Sequence, residues 1–259
     1  MMSAMIRLVF MVRRRPDLSL TEFQDYWRNE HGPLVAFHQT RLGVVRYTQT
    51  HRIGDPTDER MAAARGGMEE PYDGVAELWF HSEQALIEAG RTDGGKRAGR
   101  DLLEDEPRFI DLANSPMWLA HEYPQVSPVH EVVARPNSPL VKLHFPLRHL
   151  PSLSLEEAQR YWRVQHGPLI RSLSPAMGTL RYQQVHRYET PVAAALAASR
   201  GIVAEPYSGH AEAWTDRSAV RVTEELRAAN RAAIDDERHF IDFARSAMWL
   251  GKEHVLVGA

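Results

Sequence analysis

The sequence predicts an α+β protein made of two ferredoxin-like βαββαβ repeats packed face to face as an internal dimer. Three observations carry this reading. The 259-residue chain contains one stretch twice, Tyr-Trp-Arg-Asn-Glu-His-Gly-Pro within Leu20–Leu34 and Tyr-Trp-Arg-Val-Gln-His-Gly-Pro within Leu155–Leu169. The register persists far beyond it: His31/His166, Arg46/Arg181, His51/His186 and Glu77/Glu212 are each 135 apart, and Phe109/Phe240 and Trp118/Trp249 are 131 apart. Each copy also alternates strand and helix patterns in the order of the split βαβ unit. The expected division is residues 1–123, a polar, proline-bearing linker at 124–139, and residues 140–259.

In chain order, Met5–Val12 is a run of β-formers and reads as a strand. Ser19 and Glu22 form a capping box, and Leu20, Phe23, Tyr26 and Trp27 then recur at helical spacing, leaving one apolar face. The pattern predicts that this helix stops at a left-handed Gly32, with Pro33 barring continuation. Gly43–His51 is a second strand, with Tyr47, Gln49 and His51 on one face and Arg46, Thr48 and Thr50 on the other. The 54–71 connection is long for a hairpin and holds a short alanine-rich helix around Met61–Arg65, a candidate lid. Tyr72–Phe80 is a third strand carrying Val75, Glu77 and Trp79 on one face. Ser82 caps a second helix, which the basic, glycine-rich stretch Gly90–Gly99 interrupts; this stretch holds the four-residue length difference between the copies and reads as a solvated loop. Pro116–His121 is the fourth strand. Two such units stabilise each other by burying their open sheet faces together.

Composition narrows the function. A net charge of −3 gives no reason to expect nucleic acid or an anionic membrane as partner. No apolar run approaches the roughly 20 residues of a membrane span. The absence of cysteine excludes disulfides, a thiolate nucleophile and Cys-ligated metal but says little about compartment. The N-terminus lacks the order of a secretory signal, so the cytosol is the default. No dinucleotide fingerprint, P-loop or strong metal motif occurs, so no cofactor is assigned and the chemistry falls to the side chains themselves.

Together the Tyr-Trp-Arg-x-x-His-Gly-Pro-Leu helix, the Arg-Tyr-x-Gln-x-His strand and the Pro-Tyr-Asp-Gly-Val-Ala-Glu-Leu-Trp-Phe strand resemble the EthD family, named for ethyl tert-butyl ether degradation. The resemblance covers nearly all of both copies. It implies an intramolecular dimeric α+β barrel, a superfamily of cofactor-free cyclases, isomerases, quinone-forming monooxygenases, haem peroxidases and binding proteins.

Histidine titrates near neutral pH, so His31 and His166 at the helix ends are catalytic candidates, with His51 and His186 on the second strand of each copy. Tyr47 and Tyr182 beside them are candidates for holding a carbonyl or phenol, and Trp79 and Trp214 for lining a pocket. Arg46 and Arg181 are expected to pair with Glu77 and Glu212, or else to meet a substrate carboxylate. His144 and His210 stand where copy one has Val9 and Val75; with Glu212 they offer a base, an orienter and a carboxylate, found only in copy two. The His-x-Glu spacing is a weak metal signal, and no metal is assigned. The expected function is a cofactor-independent lyase, cyclase or isomerase acting on a hydrophobic aromatic or polyketide-like molecule by His/Tyr acid–base chemistry. The alternative is a non-catalytic small-molecule-binding or accessory protein; a third reading is a haem-dependent enzyme. Beyond the internal pseudo-dimer, a further homodimer is left open.

Overall fold

A computed structural model describes residues 5–258. Repeat 1 runs β1 (Ile6–Val12), α1 (Leu20–Tyr26), α2 (Gly32–Leu42), β2 (Arg46–Arg52), α3 (Pro56–Ala63), β3 (Gly74–Phe80), α4 (Glu83–Arg91), α5 (Asp93–Asp105) and β4 (Met117–Val126). Repeat 2 runs β5 (Leu140–His149), α6 (Leu155–Tyr161), α7 (Gly167–Met177), β6 (Thr179–Tyr188), α8 (Pro191–Ala198), β7 (Gly209–Asp216), α9 (Glu224–Glu237), a two-residue β8 (Ile241–Asp242) and β9 (Trp249–Val257).

The strands form one closed antiparallel barrel, in the order β7-β6-β4-β1-β3-β2-β9-β5 and back to β7. Within each repeat the order is that of a ferredoxin-like sheet. The closure comes from exchange between repeats: β2 pairs with β9, and β6 pairs with β4. The second strand of each repeat is therefore not a solvated edge. Its outer ladder is taken by the last strand of the other repeat over Tyr47–Arg52 and Tyr182–Tyr188, which covers the edge it would otherwise expose.

The period-two alternation of each strand separates two environments. Val9, Met11, Val75, Trp118, Val185 and Trp249 meet inside the barrel. The alternate residues Leu8, Phe10, Tyr47 and Ala76 face outward under the helices of repeat 1 with Phe23, Trp27 and Phe109. Phe145, Trp162, Ile170, Tyr182 and Phe240 do the same in repeat 2.

Gly32 does not end the first helix. Its backbone is right-handed (φ −58°, ψ −50°), and the chain passes through a π turn, Trp27–His31, directly into α2. Pro33 follows in the first turn of α2, directly after the π turn in which the Gly32 amide bonds back to the Trp27 carbonyl. The left-handed stop comes at Gly43 (φ 72°), and at Gly178 (φ 65°) in repeat 2. Gly32 serves close packing instead: a Cβ there would stand 2.3 Å from Leu256 Cδ1, so the leucine would have to swing aside. The Gly90–Gly99 stretch is also not a loop. The Thr92 side chain accepts the Gly95 amide and starts α5, and a Cβ on Gly95 would lie 1.9 Å from the Ala89 carbonyl. The glycines thus permit a tight corner between two helices.

Candidate functional site

The π turn sets the first element of the site. A π turn inserts one residue into a helix and re-aims the side chains after it. Here it directs His166 at Asp236 near the end of α9, Nδ1 to Oδ2 2.7 Å, while the Tyr161 hydroxyl donates to the other carboxylate oxygen at 2.8 Å. Repeat 1 has the same arrangement: His31 Nδ1 is 2.8 Å from Asp105, and the Tyr26 hydroxyl is 2.6 Å from it. Burial opposes ionisation of Asp236, but the hydrogen bonds from His166 and Tyr161 hold its carboxyl below the ordinary range. An ionised carboxylate only accepts, so in this contact Nδ1 of His166 is the donor, and Nε2 is the ring nitrogen left free of Asp236.

The two repeats differ in what lies beside this dyad. In repeat 2, His166 lines a cavity of about 400 Å³ between the outer face of the barrel, α7 and α9, covered by α3 of repeat 1. Phe145, Ile170, Met61 and Met248 make it apolar, and Thr179 and Asn230 add polar groups. Small residues leave the room: Ala213 and Ala233 stand where repeat 1 has Leu78 and Leu102. In repeat 1 those leucines pack into the core with Leu86, Val192 and Leu196 from the helices around them. A larger groove of about 580 Å³ beneath α8 contains no histidine.

The lid helices cross between repeats. Arg65, just after α3, makes a bidentate pair with Glu237 at the end of α9 (2.8 and 2.9 Å). Arg200, after α8, does the same with Glu106 (2.7 and 2.8 Å).

Neither His51 nor His186 lines the 400 Å³ cavity or the groove beneath α8. Each is buried under a helix and stacked on the tryptophan of its π turn, His51 on Trp27 (4.6 Å) and His186 on Trp162 (4.4 Å). Burial holds both neutral, lowering His51 to about 2 and His186 to about 3. Tyr47 and Tyr182 are buried next to them; the Tyr47 hydroxyl accepts from Gln49, and the Tyr182 hydroxyl from Trp162. Only Tyr182 also reaches the cavity of repeat 2.

Arg46 and Arg181 do not meet Glu77 and Glu212. Arg46 reaches Glu131 in the 124–139 segment, and Arg181 bonds Gln183 and lies over the Trp214 ring. Both line a second, polar cavity of about 350 Å³ at one end of the barrel, with Trp79 and Trp214. The partners of the buried glutamates are Arg7 and Lys142, symmetry mates on β1 and β5. Arg7 pairs with Glu77, Glu122 and, at 2.8 Å, Glu212; Lys142 is 2.7 Å from both Glu77 and Glu212 and 3.3 Å from Glu253. Trp79 and Trp214 donate their indole N–H groups to Glu122 and Glu253. His144 and His210 come together in the barrel interior, ring centroids 5.5 Å apart, with His210 Nε2 3.3 Å from Glu212.

Asp105/Asp236, Arg7/Lys142, Glu122/Glu253 and Glu106/Glu237 were not among the residues singled out from sequence. A signal existed for one pair: Arg7 and Lys142 put a charge at equivalent positions of largely buried strands. The aspartates lie in charge-rich helix ends and carry no such mark.

Two ferredoxin-like sheets closing one barrel, with a ligand-sized space between barrel and helices, define a dimeric α+β barrel contained in a single chain. The EthD domain profile matches residues 15–113 and 150–244, and the chain belongs to the EthD family. No curated protein sequence matches it. Among solved structures it is similar to an anthrone oxidase-like protein at 13% identity, covering 97% of this chain and 93% of that one, with a TM-score of 0.57. An ethyl tert-butyl ether degradation (EthD) family protein of Bacillus halodurans is 21% identical; 46% of this chain covers 99% of that one, with a TM-score of 0.32. A mutant chlorite dismutase of Candidatus Nitrospira defluvii aligns at 13% identity over 97% and 92% of the two chains, with a TM-score of 0.43. Among the described residues, no helix is long and apolar enough to cross a membrane.

Proposed function

We propose that this protein is a cofactor-independent enzyme that transfers a proton on a hydrophobic aromatic or polyketide-like small molecule. The step would be of lyase, cyclase or isomerase type, with repeat 2 as the working half. The observation that carries the reading is one juxtaposition: His166, fixed through Nδ1 by ionised Asp236, stands in the wall of an apolar cavity of about 400 Å³. Such a cavity matches the size and lining of small-molecule sites.

In this reading Asp236 holds the tautomer, and His166 Nε2 takes a proton from substrate carbon or oxygen and returns it. Thr179 and Asn230, which replace Val44 and Gly99 of repeat 1, supply hydrogen bonds to a substrate carbonyl. His31 keeps the dyad, but its side of the molecule is packed with leucine and serves as scaffold.

Anthrone is a suitable probe, an aromatic ketone whose CH₂ group exchanges hydrogen through its enolate without any oxidant. In D₂O the protein should speed deuterium uptake at that carbon. His166→Asn should remove the effect by at least tenfold with little change in affinity, and His31→Asn should not. Equal behaviour of the two variants, or no exchange at all, contradicts the assignment. Binding without exchange would make the cavity that of an accessory protein, and a visible absorption band in the purified protein would replace the reading with a haem enzyme.

A further inference from the structure

The barrel interior holds a second cluster that the proton-transfer reading does not use. His144, His210 and Glu212 are fully buried, and one donor atom from each lies within 4.8 Å of the others. Several of their polar atoms have no protein partner: both ring nitrogens of His144, Nδ1 of His210 and Oε2 of Glu212. Leaving one buried polar atom unpaired costs roughly 1–3 kcal/mol. Four such atoms lie within one site, among tryptophans, Trp118 and Trp249, that are fully buried and whose indole N–H groups are also unpaired.

Charge points the same way. The side chains joined by direct contact here are two cations, Arg7 and Lys142, and four carboxylates, Glu77, Glu122, Glu212 and Glu253. Arg46 and Arg181 stand on the wall of the adjoining cavity beside the partly exposed Glu122, while Glu77 and Glu212 lie fully buried next to His210. A cation held by the two histidines would face this carboxylate-rich end of the cluster.

We infer that the barrel interior binds one divalent transition metal ion of the zinc and cobalt class, held by His144, His210 and Glu212. Two imidazoles and one carboxylate suit zinc, with bonds of about 2.0–2.2 Å. Ligands at that distance stand closer together than 4.8 Å, so the three side chains would draw inward on binding. Glu77, whose Oε1 is 3.4 Å from His210 Nε2, offers a further oxygen beside the site. The ion enters through the polar cavity of about 350 Å³, whose wall includes Glu212, Lys142 and Glu253. Repeat 1 cannot form the site, because its equivalents of the two histidines are Val9 and Val75.

This difference also supplies the variants. His144→Val and His210→Val install side chains that repeat 1 already packs at the same depth. Full-length protein stripped with chelator should bind one Co²⁺ per chain, with visible d–d absorption, and Zn²⁺ should displace it and raise Tm. The double valine variant, with an unchanged circular dichroism spectrum, should lose at least a hundredfold in affinity, as should Glu212→Gln. Failure of the stripped wild-type protein to bind Co²⁺ or Zn²⁺ overturns the inference. So does equal binding by wild type and the folded variants, which would place the metal on surface histidines. The test is independent of deuterium exchange at His166.

Discussion

Arg65, at the end of the lid helix of repeat 1, clasps Glu237 of repeat 2 through two parallel hydrogen bonds, and the pair forms one end of the cavity wall. The clasp explains why a lid joins the wrong repeat. The cavity of repeat 2 is completed only when the barrel has closed and repeat 1 lies against it. Fold and site are thus coupled through one buried ion pair and its symmetry mate, Arg200–Glu106.

Removing one member of such a pair strands the other charge. Glu237→Ala and Glu106→Ala should each lower stability by roughly 3–5 kcal/mol in urea titrations. The two should part in binding. Glu237→Ala opens the cavity and should weaken an aromatic ligand, while Glu106→Ala leaves affinity near wild type. Equal loss of affinity would mean that the lid of repeat 2 also shapes the site.

Asp58, on the inner side of the α3 lid, accepts the Leu250 amide at 3.0 Å. Burial raises it to about 6. Between roughly pH 4 and 6 the folded chain keeps a proton that the unfolded chain has lost. Its contribution to stability is therefore full below about pH 4 and lost as pH rises through 6. Asp58→Asn keeps the acceptor and removes the charge, so it should raise Tm by a few degrees at pH 7.5 and leave it nearly unchanged at pH 4. A variant that melts lower at pH 7.5 would show that the carboxylate is stabilised there.

His51 and His186 act in the opposite direction. Both are held neutral by burial, well under the unfolded value of about 6.5. Their contribution is complete above pH 6.5 and falls as pH drops toward the folded values. Each adds a slope of up to about 1.4 kcal/mol per pH unit. Replacing both with Gln should flatten the fall in stability between pH 6.5 and 5, measured by denaturant titration. An unchanged slope would assign the acid sensitivity to other groups.

The duplication made the barrel legible, because strands alternating at period two in two equal copies have few ways to bury their open faces. The helix stop expected at Gly32-Pro33 is absent for a physical reason: a π turn precedes the same Gly-Pro that would otherwise end a helix. His144 and His210 were visible as departures from valine. The cavity was not, although its cause is written in the same comparison. Ala213 for Leu78 and Ala233 for Leu102 look like neutral apolar exchanges until the topology shows that both face one space.

Those two alanines give the most direct test that repeat 2 is the working half. Ala213→Leu with Ala233→Leu installs in repeat 2 the side chains that already pack in repeat 1. Binding of 1-naphthol, a fused aromatic with one hydroxyl, can be followed by its fluorescence. The filled variant should keep its circular dichroism spectrum and lose at least tenfold in naphthol affinity. Undiminished binding by the folded variant would contradict the placement of the ligand in this cavity.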